Sequence, residues 1–338
     1  MKRHRLCAGP HQLKGFSLIE LMVAMAIGLI IAAASFSAYL GASGASRTAE
    51  AQSRMNEDAQ AALSVLTQQL RVAGGNPNQP GRTDKSRRNP VYNPYDPATF
   101  AVLPLTFALS SFSIRGCDGK FSNIATATGL DDLNCVSGAN ALPDSISVSY
   151  EADAFNSIST TAKLPTDCLG VALKKAVATF PLEAPPGPYP YYVANNLFYI
   201  GTSGSVLSPS LYCKGNGIAS TAQPLVENIE DLQLTYGAVK ASTAAADVTT
   251  AVVTGYLTAN EVLSQVNMAG LANDAERWAK VISVRICVLV RSEVPVANDS
   301  ASASYIKCDG TLEASPPDLR LRRAYHATVV LRNRRFLP

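Results

Sequence analysis

The stretch Lys14-Gly15-Phe16-Ser17-Leu18-Ile19-Glu20-Leu21, continuing as MVAMAIGLIIAAASFSAYL to Leu40, decides how this chain is read. No residue from Leu21 to Leu40 carries a charge. Wound as a helix, this run spans ~30 Å, the thickness of a bilayer core. The preceding residues 1–15 carry Lys2, Arg3, Arg5 and Lys14 and no acid. A basic flank stays on the cytoplasmic side, so the rest of the chain is expected to cross. Three readings fit: a secretory signal cut near Ala42-Ser43-Gly44, an uncleaved single-span anchor, or a signal cut on the cytoplasmic side of the apolar run. Glu20 separates them. A carboxylate in an apolar segment is costly in lipid unless it has a partner or a task, and the first two readings give it none. Ser17 and Glu20, three apart, also make a capping box, which is useful where a helix begins and places a chain end near Phe16.

Composition narrows the rest. A chain of 338 residues holds one large or two ordinary domains with a real core. Hydrophobic residues make up 47% and charged residues 16%, too apolar for disorder and too uncharged for a coiled coil. The net charge of +3 comes from the first fifteen residues; without them the chain holds 25 basic and 26 acidic groups. That gives no case for nucleic acid. Two of the three histidines, His4 and His11, lie in the same leader, which excludes a histidine-rich metal site or a pair of acid–base histidines.

Beyond Gly44 the apolar positions Met55, Ala59, Ala62, Leu63, Leu66, Leu70 and Ala73 recur at three- and four-residue steps, one face of an amphipathic helix ended by Gly74-Gly75-Asn76-Pro77. A proline-punctuated loop follows, with the basic run Lys85, Arg87 and Arg88. Strands are expected where Ile146, Val148 and Tyr150 alternate, as a pair within 196–212 around Thr202-Ser203-Gly204, at Leu232 to Tyr236, at Val281 to Arg291, and from Arg323 to Leu331. In the Val281 strand the face Ile282, Val284, Ile286, Val288 and Val290 is apolar. One late helix is expected at 258–267 with Thr258 and Glu261 as its box. The segment 184–191, APPGPYPY, reads as a polyproline-like connection, and 241–254 as a loop.

The stretch Lys14 to Leu21 resembles the type IV prepilin motif. The resemblance implies that a membrane prepilin peptidase cuts after Gly15 and N-methylates the new terminal Phe16. It makes Glu20 the glutamate at the fifth mature position, a subunit-docking residue. The sequence departs from many major pilins in having no proline between Phe16 and Asn76, leaving Gly28, Gly41 and Gly44 as the weak points of the helix. Further on, Leu225-Val226-Glu227-Asn228-Ile229-Glu230-Asp231-Leu232, Trp278, the strand VRICVLVRS, Leu321-Arg322-Arg323-Ala324-Tyr325 and Leu331-Arg332-Asn333-Arg334 resemble the PilW family of minor pilins. The J-type minor pseudopilins of type II secretion share the plan, and residues 76–220 align to neither.

The implied fold is α+β, pilin-like: a long N-terminal α-helix, membrane-spanning in its first half, packed on an antiparallel β-sheet domain. The implied divisions are a cleaved leader 1–15, a transmembrane or filament-core helix 16–43, its amphipathic continuation 44–75, and a periplasmic or extracellular β-rich domain 76–338. The implied function is structural: a minor pilin that initiates or caps a type IV pilus, held in the inner membrane before assembly and in the pilus, at its tip, afterwards. Its partners would be the prepilin peptidase, other minor pilins and the major pilin, with a tip adhesin as a further candidate. A type II secretion pseudopilin is the alternative within the class, and a membrane-anchored periplasmic enzyme or binding protein the alternative outside it.

Cys7 lies in the leader. Cys117, Cys135, Cys168, Cys213, Cys287 and Cys308 form an even set on the exported side, where disulfides form. None sits in a CxxC pair, so zinc or thioredoxin chemistry is not indicated. Nearest-neighbour pairing, 117–135, 168–213 and 287–308, is one of many connectivities, and a partly reduced set is the alternative. No phosphate loop, HExxH or GxSxG is present, so no catalytic residue, cofactor or metal is expected. His326 reads as a strand residue. Asp131-Asp132 with Asn134 reads as a solvated loop before it reads as a calcium site. Arg320, Arg322, Arg323, Arg332, Arg334 and Arg335 read as charged protection of an edge strand, with an acidic partner subunit as the alternative.

Overall fold

The computed structural model describes residues 15–76, 90–91, 110–127, 129–136, 142–179, 188–202, 208–239, 253, 255–264 and 273–334. The chain forms two compact units, Met1–Glu50 and Ala51–Pro338. The leader ahead of Gly15, the run Lys85 to Arg88, Ser203-Gly204 and nearly all of 241–254 lie outside the described residues.

Helix α1 runs Leu18–Val72. From Leu21 to Leu40 its side chains are uncharged and exposed all round, with Leu29 and Ile30 among the most open. Among the described residues it is the one helix long and apolar enough to cross a membrane, with mean hydropathy 2.3 over its most apolar window. Gly28, Gly41 and Gly44 have open space around them and do not interrupt it.

In the second unit α1 buries Ala51, Met55, Ala59, Ala62, Leu66 and Leu70, steps of three and four that make one stripe. Just past the helix, Gly74 adopts φ +68, and its N–H donates to the Ser149 carbonyl at 2.8 Å. A Cβ there would lie 3.1 Å from the Ser113 Cβ, so both backbone and space favour glycine.

The strands of this unit, in chain order, are β1 (Ile114–Cys117), β2 (Ser145–Glu151), β3 (Ala176–Thr179), β4 (Pro188–Tyr191), β5 (Val193–Gly201), β6 (Ser210–Lys214), β7 (Gln223–Glu227), β8 (Ile229–Ala238), β9 (Gly255–Leu257), β10 (Val281–Arg291), β11 (Tyr305–Ile306), β12 (Leu312–Glu313) and β13 (Arg322–Val330). They form a five-stranded sheet β1-β2-β5-β6-β7, a four-stranded sheet β13-β10-β8-β9 and two ribbons, β3-β4 and β11-β12. The fold is thus α+β, with every named strand pair antiparallel. Both large sheets and α1 contribute to one core.

Strand β10 is central to its sheet. Val288 pairs with Leu232 on β8 and with Tyr325 on β13. Its expected apolar face is buried, but so are Val281, Cys287 and Leu289 on the other face. A strand covered on both faces reads as a continuous apolar run, and VISVRICVLV is close to one. Asp144 joins the two sheets just before β2: its N–H donates to the Leu232 carbonyl at 2.7 Å, and its carboxylate accepts Leu234 N–H at 2.7 Å and Gly119 N–H at 2.9 Å. Gly116 lets β1 approach Tyr236, whose hydroxyl would stand 1.9 Å from any added Cβ. Tyr236 meets Trp278 edge-to-face at 4.8 Å.

Locally, the late helix and its box are found, one helix is added and the polyproline-like reading changes. The late helix is α2 (Ala259–Ser264), with the Thr258–Glu261 box formed at 2.9 and 3.3 Å; residues 265–267 lie outside the described residues. A second short helix, α3 (Asp274–Ala279), capped by Asn273, was not anticipated; its buried Ala275, Trp278 and Ala279 are too few to show a period. Of the polyproline-like segment, Pro188–Tyr191 is strand β4, paired with β3. An edge position in a two-strand ribbon tolerates prolines that a central strand would not.

Candidate processing and assembly site

Gly15, Phe16 and Ser17 precede α1 in non-helical backbone and are exposed, Phe16 by 88%. Ser17 caps the helix. Its N–H and hydroxyl both donate to Glu20 Oε2, at 2.9 and 3.0 Å, and Glu20 N–H donates back to Ser17 Oγ at 3.2 Å. The reciprocal box satisfies two helix-end donors and holds the Glu20 carboxylate near the positive end of the helix. It forms with Gly15 still attached, so the helix start does not require a chain end at Phe16. Only Oε2 is engaged in the box.

Gly15 has no heavy atom within 4 Å of where a Cβ would stand, and its φ is not left-handed. Nothing in the described chain therefore demands glycine there.

In the second unit polar groups fasten α1 at several heights. Tyr325 Oη donates to Asn56 Oδ1 at 2.6 Å, Asn196 Nδ2 to Gln69 Oε1 at 2.7 Å, and Asn333 Nδ2 to the Ala73 carbonyl at 3.1 Å. Asn228, at φ 63 between β7 and β8, donates to Asp58 Oδ2 at 3.4 Å, while its own Oδ1 accepts from Ser208 at 2.8 Å. Burial raises the Asp58 carboxyl, with Glu57, Glu227 and Glu293 adding repulsion against the Asn228 bond. Arg54 reaches Glu293 at 3.1 Å, but this pair is exposed and contributes little.

The C-terminal arginines divide. β13 is an edge strand, and Arg323 is exposed on it as expected. Arg322 turns inward instead. Its Nε and Nη2 grip Glu230 bidentately at 2.5 and 3.0 Å, and its Nη1 donates to Asp318 at 2.7 Å. Burial opposes the guanidinium charge, but the two carboxylates outweigh it and hold the proton firmly. Burial likewise pushes Asp318 up, and the Arg322 and Arg320 donors reverse this, holding it well below the usual carboxylate range. The reason is geometric: β13 brings Arg322 opposite Arg291, and Arg291 approaches the same Glu230 at 3.8 Å.

Three disulfides are present: Cys117–Cys135, Cys168–Cys213 and Cys287–Cys308. The last ties the loop after β10 to that strand, and His326, opposite Cys287 on β13, lies 3.9 Å from its sulfur. Asp131 accepts the Ser111 N–H at 3.2 Å, and among the described residues no group of three or more metal-ligating side chains gathers.

Residues 12–36 match the prokaryotic N-terminal methylation motif, and residues 197–333 match the family described as type IV pilus-assembly protein W. The chain is thus similar to type IV pilin-like proteins at its N-terminus and to the PilW family over its C-terminal part. Comparison with curated proteins and with solved structures gave no match. The PilW match runs from within β5 to the 3-10 turn Arg332–Arg334, and so takes in the β13-β10-β8-β9 sheet. The apolar helix and the methylation motif at its start are consistent with a membrane-anchored pilin.

Within the PilW-like part, sequence reasoning found the motif residues but not what they hold. Asn228, Tyr325 and Asn333 fasten α1, and Arg322 with Glu230 fastens β13 to β8. Asn56, Asp58 and Gln69 on α1 were missed. Their signal was available: polar residues flanking the stripe Met55, Ala59, Ala62 and Leu66 at positions that border the buried face.

Proposed function

We propose that this pilin-like protein is a minor pilin that initiates or caps a type IV pilus. The observation that carries the proposal is the pairing of a methylation-type N-terminus with a PilW-type domain on one chain. The role is structural, and its partners are the prepilin peptidase and other pilins.

The N-terminal geometry supplies a mechanism. The Gly15–Phe16 bond lies in exposed, non-helical backbone, as a peptidase substrate must. Glycine at the cut leaves room for an enzyme to approach the backbone. After the cut, Phe16 becomes an ammonium that methylation leaves charged at neutral pH. Glu20 Oε2 caps its own helix, and Oε1 takes no hydrogen bond among the described residues. That oxygen suits the ammonium of a neighbouring subunit. In lipid the pairing offsets desolvation of both charges only in the correct register, which makes Glu20 a docking key.

The test is deletion of the gene in its own host, followed by counts of surface pili and assay of type II secretion. Loss of pili with secretion intact supports the proposal. Loss of secretion with normal piliation assigns the protein to the secretion filament instead.

A further inference from the structure

Where α1 stops, Gly74 donates to Ser149 and Glu151 donates to Gly75 at 3.0 Å, and the chain leaves β2 into a cluster of loops. The cluster is tightly knit. Thr166 N–H donates to Ser157 Oγ at 3.2 Å, and its hydroxyl donates to the Ile158 carbonyl. Thr166 pairs with Ala172, whose carbonyl accepts the Ile218 N–H at 2.9 Å. Gly217 N–H reaches Asp167 at 2.9 Å, and Cys168–Cys213 closes the frame.

This frame turns three large apolar side chains outward: Phe155 is 82%, Ile158 78% and Ile218 61% exposed. Single exposed apolar residues need no account, but three in loops joined by hydrogen bonds and a disulfide suggest a contact surface. The charges of the cluster are sorted as well. Asp153 and Asp167, its only acids from Ala152 to Thr179, are each 5% exposed and accept backbone N–H groups, Asp153 from Phe155 and Asn156, and Asp167 from Leu169, Val171 and Gly217. Lys163, Lys174 and Lys175 are exposed and in no ion pair among the described residues. Lys163 at φ 58 and Ala219 at φ 59 adopt backbone that favours glycine, one bearing a cation and the other following Ile218.

We propose that this cluster docks on an anionic lipid surface. Phe155, Ile158 and Ile218 enter the boundary between headgroups and acyl chains, and the three lysines meet the phosphates. Outward-projecting apolar side chains beside unpaired lysines are the arrangement of an interfacial anchor. An acidic protein would use the lysines but would leave side chains that stand out this far without a pocket to enter.

The full chain, held by α1 in immobilised nanodiscs of phosphatidylcholine, is offered fluorescent vesicles of phosphatidylcholine with or without phosphatidylglycerol. Vesicles with phosphatidylglycerol should be retained and those without should pass. Each Lys→Gln change at 163, 174 or 175 should weaken retention about fivefold, the factor for ~1 kcal/mol per cation at an anionic surface. Phe155→Ser with Ile158→Ser should weaken it further, with the denaturation midpoint and disulfide map unchanged. Equal retention of both vesicle types, or full retention by the triple Gln variant, overturns the proposal. So does capture of polyglutamate beads without vesicles, which would assign the surface to an acidic protein. The assay reads no filament, so its outcome is separate from the minor-pilin reading.

Discussion

The phenol of Tyr325 on β13 lies 2.6 Å from Oδ1 of Asn56 on α1, a hydrogen bond that closes 269 residues of chain. It ties an edge strand to the helix, and its loss leaves a partly buried acceptor without a donor. Tyr325→Phe and Asn56→Ala should each cost ~1 kcal/mol, read as a lower urea midpoint of the detergent-solubilised chain. The double variant should cost less than the sum. Strict additivity would mean that the two groups do not act through each other.

Processing should depend on Gly15. The mature protein purified from membranes should begin at methylated Phe16 by mass spectrometry. Gly15→Val should block the cut while leaving the helix as stable as before, because nothing within 4 Å of that position is disturbed. A mature terminus near Ala45 would establish a secretory signal and remove the pilin reading.

Glu20→Ala should leave cleavage and membrane insertion intact and weaken co-purification of tagged partner pilins several-fold. Loss of the box with Ser17 is expected to cost the helix only ~1 kcal/mol. Glu20→Asp keeps the charge with a shorter reach and should be partly tolerated. If Glu20→Ala co-purifies and piliates like wild type, the carboxylate is a helix cap alone.

Non-reducing peptide maps of exported protein should recover the three bridges, with Cys168–Cys213 linking the loop cluster to β6. Replacing both of these cysteines by serine should cost ~2–4 kcal/mol, with native-state strain able to lower that figure. The same change should loosen the Phe155–Ile158 loops, seen as faster proteolysis there. Free thiols at all six positions would refute the exported, oxidised state.

Burial pushes the Asp144 carboxyl up to about 7, aided by the charges of Asp118 and Asp231 and opposed by the Gly119 and Leu234 amides. Unfolded, it titrates near ~4. The folded state therefore binds this proton more tightly, and the stability it contributes is complete below ~4 and is lost as pH rises to about 7. Asp144→Asn does not titrate. Relative to that variant, wild type should lose on the order of a few kcal/mol across this window. A flat difference across the window would show that the folded carboxyl titrates normally.

Much of this protein is written locally. A charge-free run, a Ser17–Glu20 spacing, a three-and-four apolar stripe and the alternation of β-branched residues each depend on neighbours within a turn or a pleat. From them the sequence by itself determined the membrane-type helix, its cap, the buried face of its second half and most strands. Tertiary structure decided what depends on partners far along the chain. The polyproline-like segment became β4 only because β3 lies beside it, and packing buried Val281, Cys287 and Leu289 on the second face of β10 while leaving Arg285 exposed. Arg322 looked like a surface charge until β13 placed it against Glu230 and Asp318. Tyr325 had no visible task until the sheet brought it to Asn56. The division of the strands into two large sheets was likewise a tertiary matter, because strand order and register are fixed by pairing energies that no short window contains.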